Sequence, residues 1–288
     1  MEISHREQIN EIDPYIPGKS IEDVKKEYNL EKVIRLASNE NAHGPSLKSI
    51  EAAHTAIENM NLYPDSAAKL LTQEISKFYE INIDEIFTGN GADNVLTTLI
   101  SAYISEGDEV LYCTPTFPVY KSMTLLMGGI PIEVPITIEW KYDLDEILAR
   151  INQNTKIIFI CNPNNPTGTV VTSEELINFL DKVPNNIHVV LDEAYIEYID
   201  DNDYLTGVEL FKRSYSIIVV RTFSKFYGLA GLRIGYAIAK KEVLEPMLQI
   251  REAFATNRVA IETAVAALND EKFTKYHLSE IIKEKSIY

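Results

Sequence analysis

A chain of 288 residues, 45% hydrophobic and 24% charged, has an ordinary globular composition and is long enough to bury a large core. Its 43 acidic and 27 basic side chains give a formal charge of −16, which opposes a surface built for nucleic acid or an anionic membrane but allows a local basic cluster to hold an anionic substrate. Cys113 and Cys161 each sit in an apolar, strand-like run and read as buried free thiols of a reducing cytosol, and the five histidines show no metal-ligand spacing, so no metal site is expected.

In chain order, the polar N-terminus lacks an apolar export core, and no apolar run reaches membrane-spanning length, so a cytoplasmic protein is expected. Residues 1–36, rich in glutamate and lysine, read as an arm ahead of the compact domain. Within it, Ser20 and Asp23 before Val24 have the form of a helix-start capping box with Asp in place of Glu. Ser66 is expected to cap a helix whose Leu70, Leu71, Ile75 and Phe78 recur at helical spacing as a core stripe. Short apolar runs at 86–88, 109–113, 157–161, 188–192, 216–221 and 235–239 then alternate with helical stretches. That alternation predicts an α/β domain over 37–240, with a largely parallel sheet between helices. Thr172 and Glu175 mark a further helix start before Leu176. Beyond residue 240, helical patterns at 242–250 and 259–268 read as the start of a small α+β domain over 241–288.

A polar motif follows each of several strand candidates. After 86–88 comes Gly89-Asn90-Gly91-Ala92-Asp93, where free N–H groups at a helix start can bind phosphate; the spacing is neither a Walker loop nor a dinucleotide fingerprint. After 109–113 comes Phe117, an aromatic able to stack on a ring. Asn165 lies in Asn162-Pro163-Asn164-Asn165-Pro166-Thr167-Gly168, a loop stiffened by two prolines and turned by a glycine. Asp192 ends its strand, with Tyr195 three residues on, and the last motif carries Thr222, Ser224, Lys225 and Arg233. Taken singly, each has an ordinary structural explanation: a turn, a helix cap, a core phenylalanine, a surface lysine.

Together they supply the parts of a pyridoxal phosphate site. Lys225 would carry the cofactor as an imine, its amine kept neutral by burial and a nearby cation. Thr222, Ser224 and Arg233 would hold the phosphate, and Asp192 would pair with the protonated ring nitrogen. Asn165 and Tyr195 would hydrogen-bond the phenolic oxygen.

The ordered set Gly-Asn-Gly-Ala-Asp, Pro-Thr-Phe, Asn-Asn-Pro-Thr-Gly, Asp-Glu-Ala-Tyr and Thr-Phe-Ser-Lys with its downstream arginine resembles the fold-type I pyridoxal phosphate aminotransferases. Three further segments make the chain most similar to the histidinol-phosphate aminotransferases of the class II branch: Asp13-Pro14-Tyr15-Ile16-Pro17-Gly18, Leu36-Ala-Ser-Asn39-Glu40-Asn41-Ala42-His43-Gly44 and Leu62-Tyr63-Pro64-Asp65. The resemblance runs from about Tyr15 to about Leu268. It implies that Ala92 and Asp93 contribute to the cofactor site, and that Tyr63 reaches the cofactor phosphate of the neighbouring subunit in a homodimer. It also implies that Asn39, Asn41 and Gly44 line the substrate site, with Tyr15 near the substrate phosphate and the N-terminal arm packed on the small domain.

The implied activity is transfer of an amino group from histidinol phosphate to 2-oxoglutarate in histidine biosynthesis, with Lys225 as base, Asp192 keeping the ring an electron sink and Tyr195 beside them. Aromatic transamination and threonine-phosphate decarboxylation are the alternatives on the same fold. A third reading belongs to another class: a truncated chain that binds cofactor without turnover. Ala42 stands where the family often has proline, and Phe226-Tyr227 replace small residues after the lysine. No arginine follows Arg258, whereas the family binds the substrate carboxylate with one in its C-terminal domain. A truncated small domain is therefore expected, with Val259, Ala260, Val265 and Leu268 short of packing partners.

Overall fold

The computed structural model describes residues 4–16, 18–201 and 203–285; Pro17 of the N-terminal motif and the three residues at each end of the chain lie outside them. Helices α1 (Ile21–Tyr28), α2 (Leu47–Ile57) and α3 (Lys69–Tyr79) precede an alternation of strands and helices: β1 (Ile86–Gly89), α4 (Gly91–Tyr103), β2 (Glu109–Thr114), α5 (Val119–Leu126), β3 (Ile130–Pro135), α6 (Leu144–Arg150), β4 (Thr155–Cys161), α7 (Ser173–Leu180), β5 (His188–Asp192), α8 (Gly207–Lys212), β6 (Ile217–Thr222) and β7 (Gly235–Ile238). Helices α9 (Lys241–Ile250), α10 (Arg258–Leu268) and α11 (Glu271–Lys285) complete the described chain. Among the described residues, no helix is long and apolar enough to cross a membrane.

The seven strands form one sheet in the order β1-β7-β6-β5-β4-β2-β3. Only β7 runs antiparallel to its neighbours, β1 and β6; every other pairing is parallel. This is the largely parallel sheet expected from the alternation. Strand β6 is buried at every residue and β5 at all but its first, because both faces of the sheet are covered; that explains their continuous apolar runs. In such a sheet the strand C-termini open onto a crevice, and the polar motifs gather there.

Strand β3 has no counterpart among the six apolar runs read from the sequence. It carries Pro131 and Pro135, which remove ladder donors and so suit an edge position. Its readable signal is the alternation of Ile130, Ile132 and Val134 after Gly128-Gly129. The Thr172–Glu175 capping box is present, and Ser20 accepts from Asp23 N–H as an N-cap. Ser66 caps nothing: α3 starts at Lys69 behind Ala68, which takes a left-handed φ of 48°, and the turn before it is held by Asp65 accepting from Ala67 N–H at 2.7 Å. Of the expected stripe, Leu71 and Ile75 are buried, while Leu70 and Phe78 are each 50% exposed.

The expectation of unpacked positions beyond residue 240 is corrected for Ala260, Val265 and Leu268, while Val259 is half-buried beside the core rather than in it. Helix α10 lies along α2 and α3, and Ala260 and Leu268 are buried in the same continuous core as the sheet, with Val265 packed against it. Helix α9 contributes Leu244 and Met247 to that core through contacts with α4 and β1.

Candidate active site

A cleft of about 440 Å³ at the strand C-terminal ends brings together Ala92, Asp93, Phe117, Asn165, Asp192, Tyr195, Thr222, Ser224, Lys225 and Arg233, with Tyr15 and Asn39 at its rim.

One end is an anion cup. Helix α4 directs its first-turn amides there, groups that no intrahelical carbonyl can satisfy. The Arg233 guanidinium lies across this helix start: Nη1 donates to Ser224 Oγ at 3.4 Å and to the Ala230 carbonyl at 3.2 Å, and Nη2 donates to Asp93 Oδ2 at 3.3 Å. Gly91, with φ +82°, makes room for it, since a Cβ there would sit 2.5 Å from Arg233 Nη2. Thr222 Oγ1 accepts from Ser224 N–H at 3.1 Å, tightening the turn that leads to the lysine.

The floor is Asp192. Its Oδ2 accepts from Tyr120 at 2.6 Å and its Oδ1 from Ala194 N–H at 3.2 Å. Burial pushes its carboxyl up to about 6, against the pull of those two donors. Cys161 lies beside it in the sheet register, and burial holds its thiol up at about 12, so it is inert. Phe117 forms a wall, edge-on to Tyr120 at 5.8 Å. In the loop after β4, Gly168 takes φ +69°, and Asn164 fixes the turn by donating to the Pro115 carbonyl at 3.1 Å, so the neighbouring Asn165 faces the cleft.

Lys225 stands between floor and cup. Burial lowers its pKa below the usual lysine value; Arg233 also lowers it, while Asp93, Glu40 and Asp192 raise it. Its Nζ donates to the Ser38 carbonyl at 2.8 Å. That carbonyl belongs to a strap, residues 37–44, that crosses the mouth of the cleft with left-handed φ values at Ser38 (69°) and Asn39 (51°). Asn39 Nδ2 donates to Tyr195 Oη at 3.0 Å, giving the strap a second attachment.

Three of the sequence-derived residues lie outside this lining. Asn41 turns toward Phe226 and His277, and Gly44 packs on Gly228, where a Cβ would come within 2.7 Å of Gly44 carbonyl atoms. Tyr63 is 79% exposed and stacked on Phe254 at 4.6 Å. A larger hollow of about 930 Å³ adjoins the cleft through Asn39, Glu40, Asn165 and Tyr195, but the chemical groups sit in the smaller space.

Two features escaped the sequence reading. Tyr120 lies one helical turn after Phe117, and its only signal was that spacing. Behind the site, Arg221 donates through Nε and Nη2 to Glu193 Oε2 at 2.9 and 2.7 Å, and through Nη1 to Tyr79 at 2.8 Å. This buried pair locks the β5 end carrying Asp192 to the β6 end carrying Thr222.

Residues 31–285 match the family described as aminotransferase class I and II. Among curated proteins, the chain is 46% identical over 267 residues to a histidinol-phosphate aminotransferase of Caldicellulosiruptor saccharolyticus, and 42% identical over 268 residues to one of Bacillus velezensis. Each alignment covers 93% of this chain and 74% of the relative. Among solved structures, histidinol-phosphate aminotransferase from Sinorhizobium meliloti in complex with pyridoxal-5'-phosphate superimposes with a TM-score of 0.87 at 26% identity, covering 97% of this chain and 74% of that one.

Proposed function

Because the chain belongs to the class I and II aminotransferases, we propose that it is a pyridoxal-phosphate-dependent enzyme that transfers the amino group of histidinol phosphate to 2-oxoglutarate. It serves histidine biosynthesis as a cytoplasmic homodimer. The observation that carries this reading is the assembly of a half-buried lysine, a buried carboxylate and an anion cup in one cleft. The identity of 46% to a histidinol-phosphate aminotransferase favours that donor over aromatic amino acids or threonine phosphate.

The residues present fit the cofactor. The space beside Gly91, which a Cβ would fill, together with the α4 start, Thr222, Ser224 and Arg233, suits a phosphate. Asp192 suits a protonated ring nitrogen, Phe117 a ring face, and Asn165 with Tyr195 a phenolic oxygen. When bound, pyridoxal phosphate supplies an electron sink for the bond broken at the substrate Cα.

The chain's own groups do the rest. Lys225 Nζ would anchor the cofactor and, as a free amine, would serve as base for the proton at the substrate Cα; burial favours the neutral amine this requires. Asp192, ionised, would pair with the ring nitrogen of the bound cofactor and hold the proton on it. Tyr15 and Asn39 form the substrate side of the cleft, and Asn41 and Gly44 hold the strap in place from behind it. Tyr63, exposed here, extends to the cup of a neighbouring subunit. In domain terms, residues 37–240 hold the cofactor and 1–36 form an arm, while α9 and α10 close the same core as the sheet.

Two measurements test the reading. Borohydride reduction of the cofactor-saturated protein followed by peptide mapping should find the adduct on Lys225. Conversion of histidinol phosphate should exceed that of phenylalanine, tyrosine and threonine phosphate. An adduct on another lysine, or a preference for an aromatic donor, would defeat the corresponding half of the proposal.

A further inference from the structure

The side chain of Asn41, in the strap, is held on three sides. Its Nδ2 donates to the Phe226 carbonyl at 2.7 Å and lies 2.9 Å from His277 Nε2, while its Oδ1 accepts from His43 N–H at 2.9 Å. Turning the amide over would set oxygen against the Phe226 carbonyl and NH₂ against the His43 N–H, so its orientation is determined. Both Nδ2 hydrogens are then committed, one to Phe226 and one to His277. His277 Nε2 must accept, and the ring is neutral with its proton on Nδ1.

His277, on α11, is 2% exposed, and its Nδ1 is buried without a hydrogen-bond partner among the described residues. The ring is stacked with Phe273 at 5.6 Å and tilted to Phe226 at 4.9 Å. A leucine would fill such an apolar slot without orphaning a polar atom. What the imidazole adds is the acceptor for Asn41.

We infer that His277 is a positioning residue: as a neutral acceptor it fastens Asn41, joining α11 to the strap and to the residue after Lys225, and protonation of its ring releases the strap from the cleft. The catalytic meaning of this device rests on the proposed role of the strap as the substrate side.

The charges facing the ring are consistent with such a switch. On the strap, His43 stands edge-on with its ring centroid 5.0 Å away, and on α11 itself Glu284 lies 3.9 Å from His43 Nε2; from the loop after β6 the ring meets Phe226. Burial lowers the His277 pKa most and His43 adds to this, while Glu284 opposes them. The folded value thus lies below the usual one of about 6.5. The tether is fully present above that usual value and is lost as pH falls through the folded one, since the unfolded chain takes the proton first.

Hydrogen exchange of the full chain, read by mass spectrometry at about pH 8 and about pH 4.5, spans the histidine range and reaches below it, where a ring with a lowered folded value takes up its proton. After correction for intrinsic rates, the wild-type amides of residues 38–44 should exchange about tenfold faster at the lower pH, the effect of losing one buried hydrogen bond. His277→Gln, whose amide oxygen accepts from Asn41 without titrating, should keep them slow at both. His277→Leu should leave them fast at both, and imidazole nitrogen NMR of the wild type at the higher pH should place the proton on Nδ1. In turnover assays, loosening should appear as a raised KM for the amino donor rather than a lowered kcat. A wild-type strap equally protected at both pH values, or a ring protonated on Nε2 at the higher one, overturns the inference. If His277→Leu fails to fold, the wild-type pH pair and His277→Gln still decide it. The exchange and NMR measurements need no substrate, so a protein that does not turn over histidinol phosphate defeats the functional proposal without deciding this one.

Discussion

The hydroxyl of Tyr120 donates to Oδ2 of Asp192 over 2.6 Å, from a ring stacked flat on Phe159 with centroids 4.4 Å apart. The donor cannot swing away, because Tyr120 is wholly buried. Asp192 therefore keeps one oxygen committed to Tyr120 and the other shared between Ala194 N–H and the cleft. Tyr120→Phe removes a donor that lowers the Asp192 pKa, so the carboxyl should titrate above about 6 in the cofactor-free protein. Infrared difference spectroscopy of the carboxyl stretch reads this shift. Loss of one hydrogen bond to a charged group should also slow transamination by roughly 10- to 100-fold. An unmoved titration would remove Tyr120 from the control of Asp192.

Asp192→Asn should retain the cofactor yet lose on the order of 10³-fold in single-turnover rate, because an amide cannot stabilise a cationic ring nitrogen. Cofactor absorbance and rapid-quench kinetics separate the two effects. Parental turnover in this variant would place the proton on the ring nitrogen outside the mechanism.

Gly91→Ala should weaken cofactor binding as well as strain the fold. The added Cβ would meet the far end of a flexible arginine, so Arg233 can move aside, but in doing so it leaves the cup. The left-handed φ adds strain of order 1–3 kcal/mol. A titration with pyridoxal phosphate should show a dissociation constant raised by about tenfold or more. Unchanged affinity would mean that Arg233 is not a phosphate ligand.

Arg221→Met should destabilise the fold by about 3–5 kcal/mol, since it strands the Glu193 carboxylate in a buried position. Adding Glu193→Gln should restore part of the loss. Urea unfolding of both proteins checks this, and equal stability of the single and double variants would show that the stranded charge is not the cause.

The motifs at the ends of β1, β4, β5 and β6 were legible because each pairs a short apolar run with polar residues at the point where the chain leaves the sheet. Tyr120 was not, because a tyrosine in an amphipathic helix has the same local appearance whether it packs or donates. Arg221 and Glu193 appeared separately, as a strand residue and as part of a motif. Their pairing depends on β5 lying beside β6, a tertiary fact with no local trace. His277 was equally silent, since its partner Asn41 lies 236 residues earlier in the chain. The misplaced Ser66 cap has a local physical cause: Asp65 competed for the same turn and won.

Strand β7 returns beside β6 in the opposite direction, and Gly235 pairs with Thr222 on one side and Gly89 on the other. The segment between β6 and β7 is therefore a closed hairpin, cinched by Phe223 N–H donating to the Ile234 carbonyl at 3.1 Å and by Leu229 N–H donating to the Phe223 carbonyl at 3.0 Å. Lys225 and Arg233 both sit on it, so the separation between the amine and the guanidinium is set by the length of one loop rather than by the packing of distant elements. The hairpin acts as a gauge for the molecule it accepts. A residue inserted at its tip would leave the sheet and core intact while changing the length of ligand that could span amine and cup.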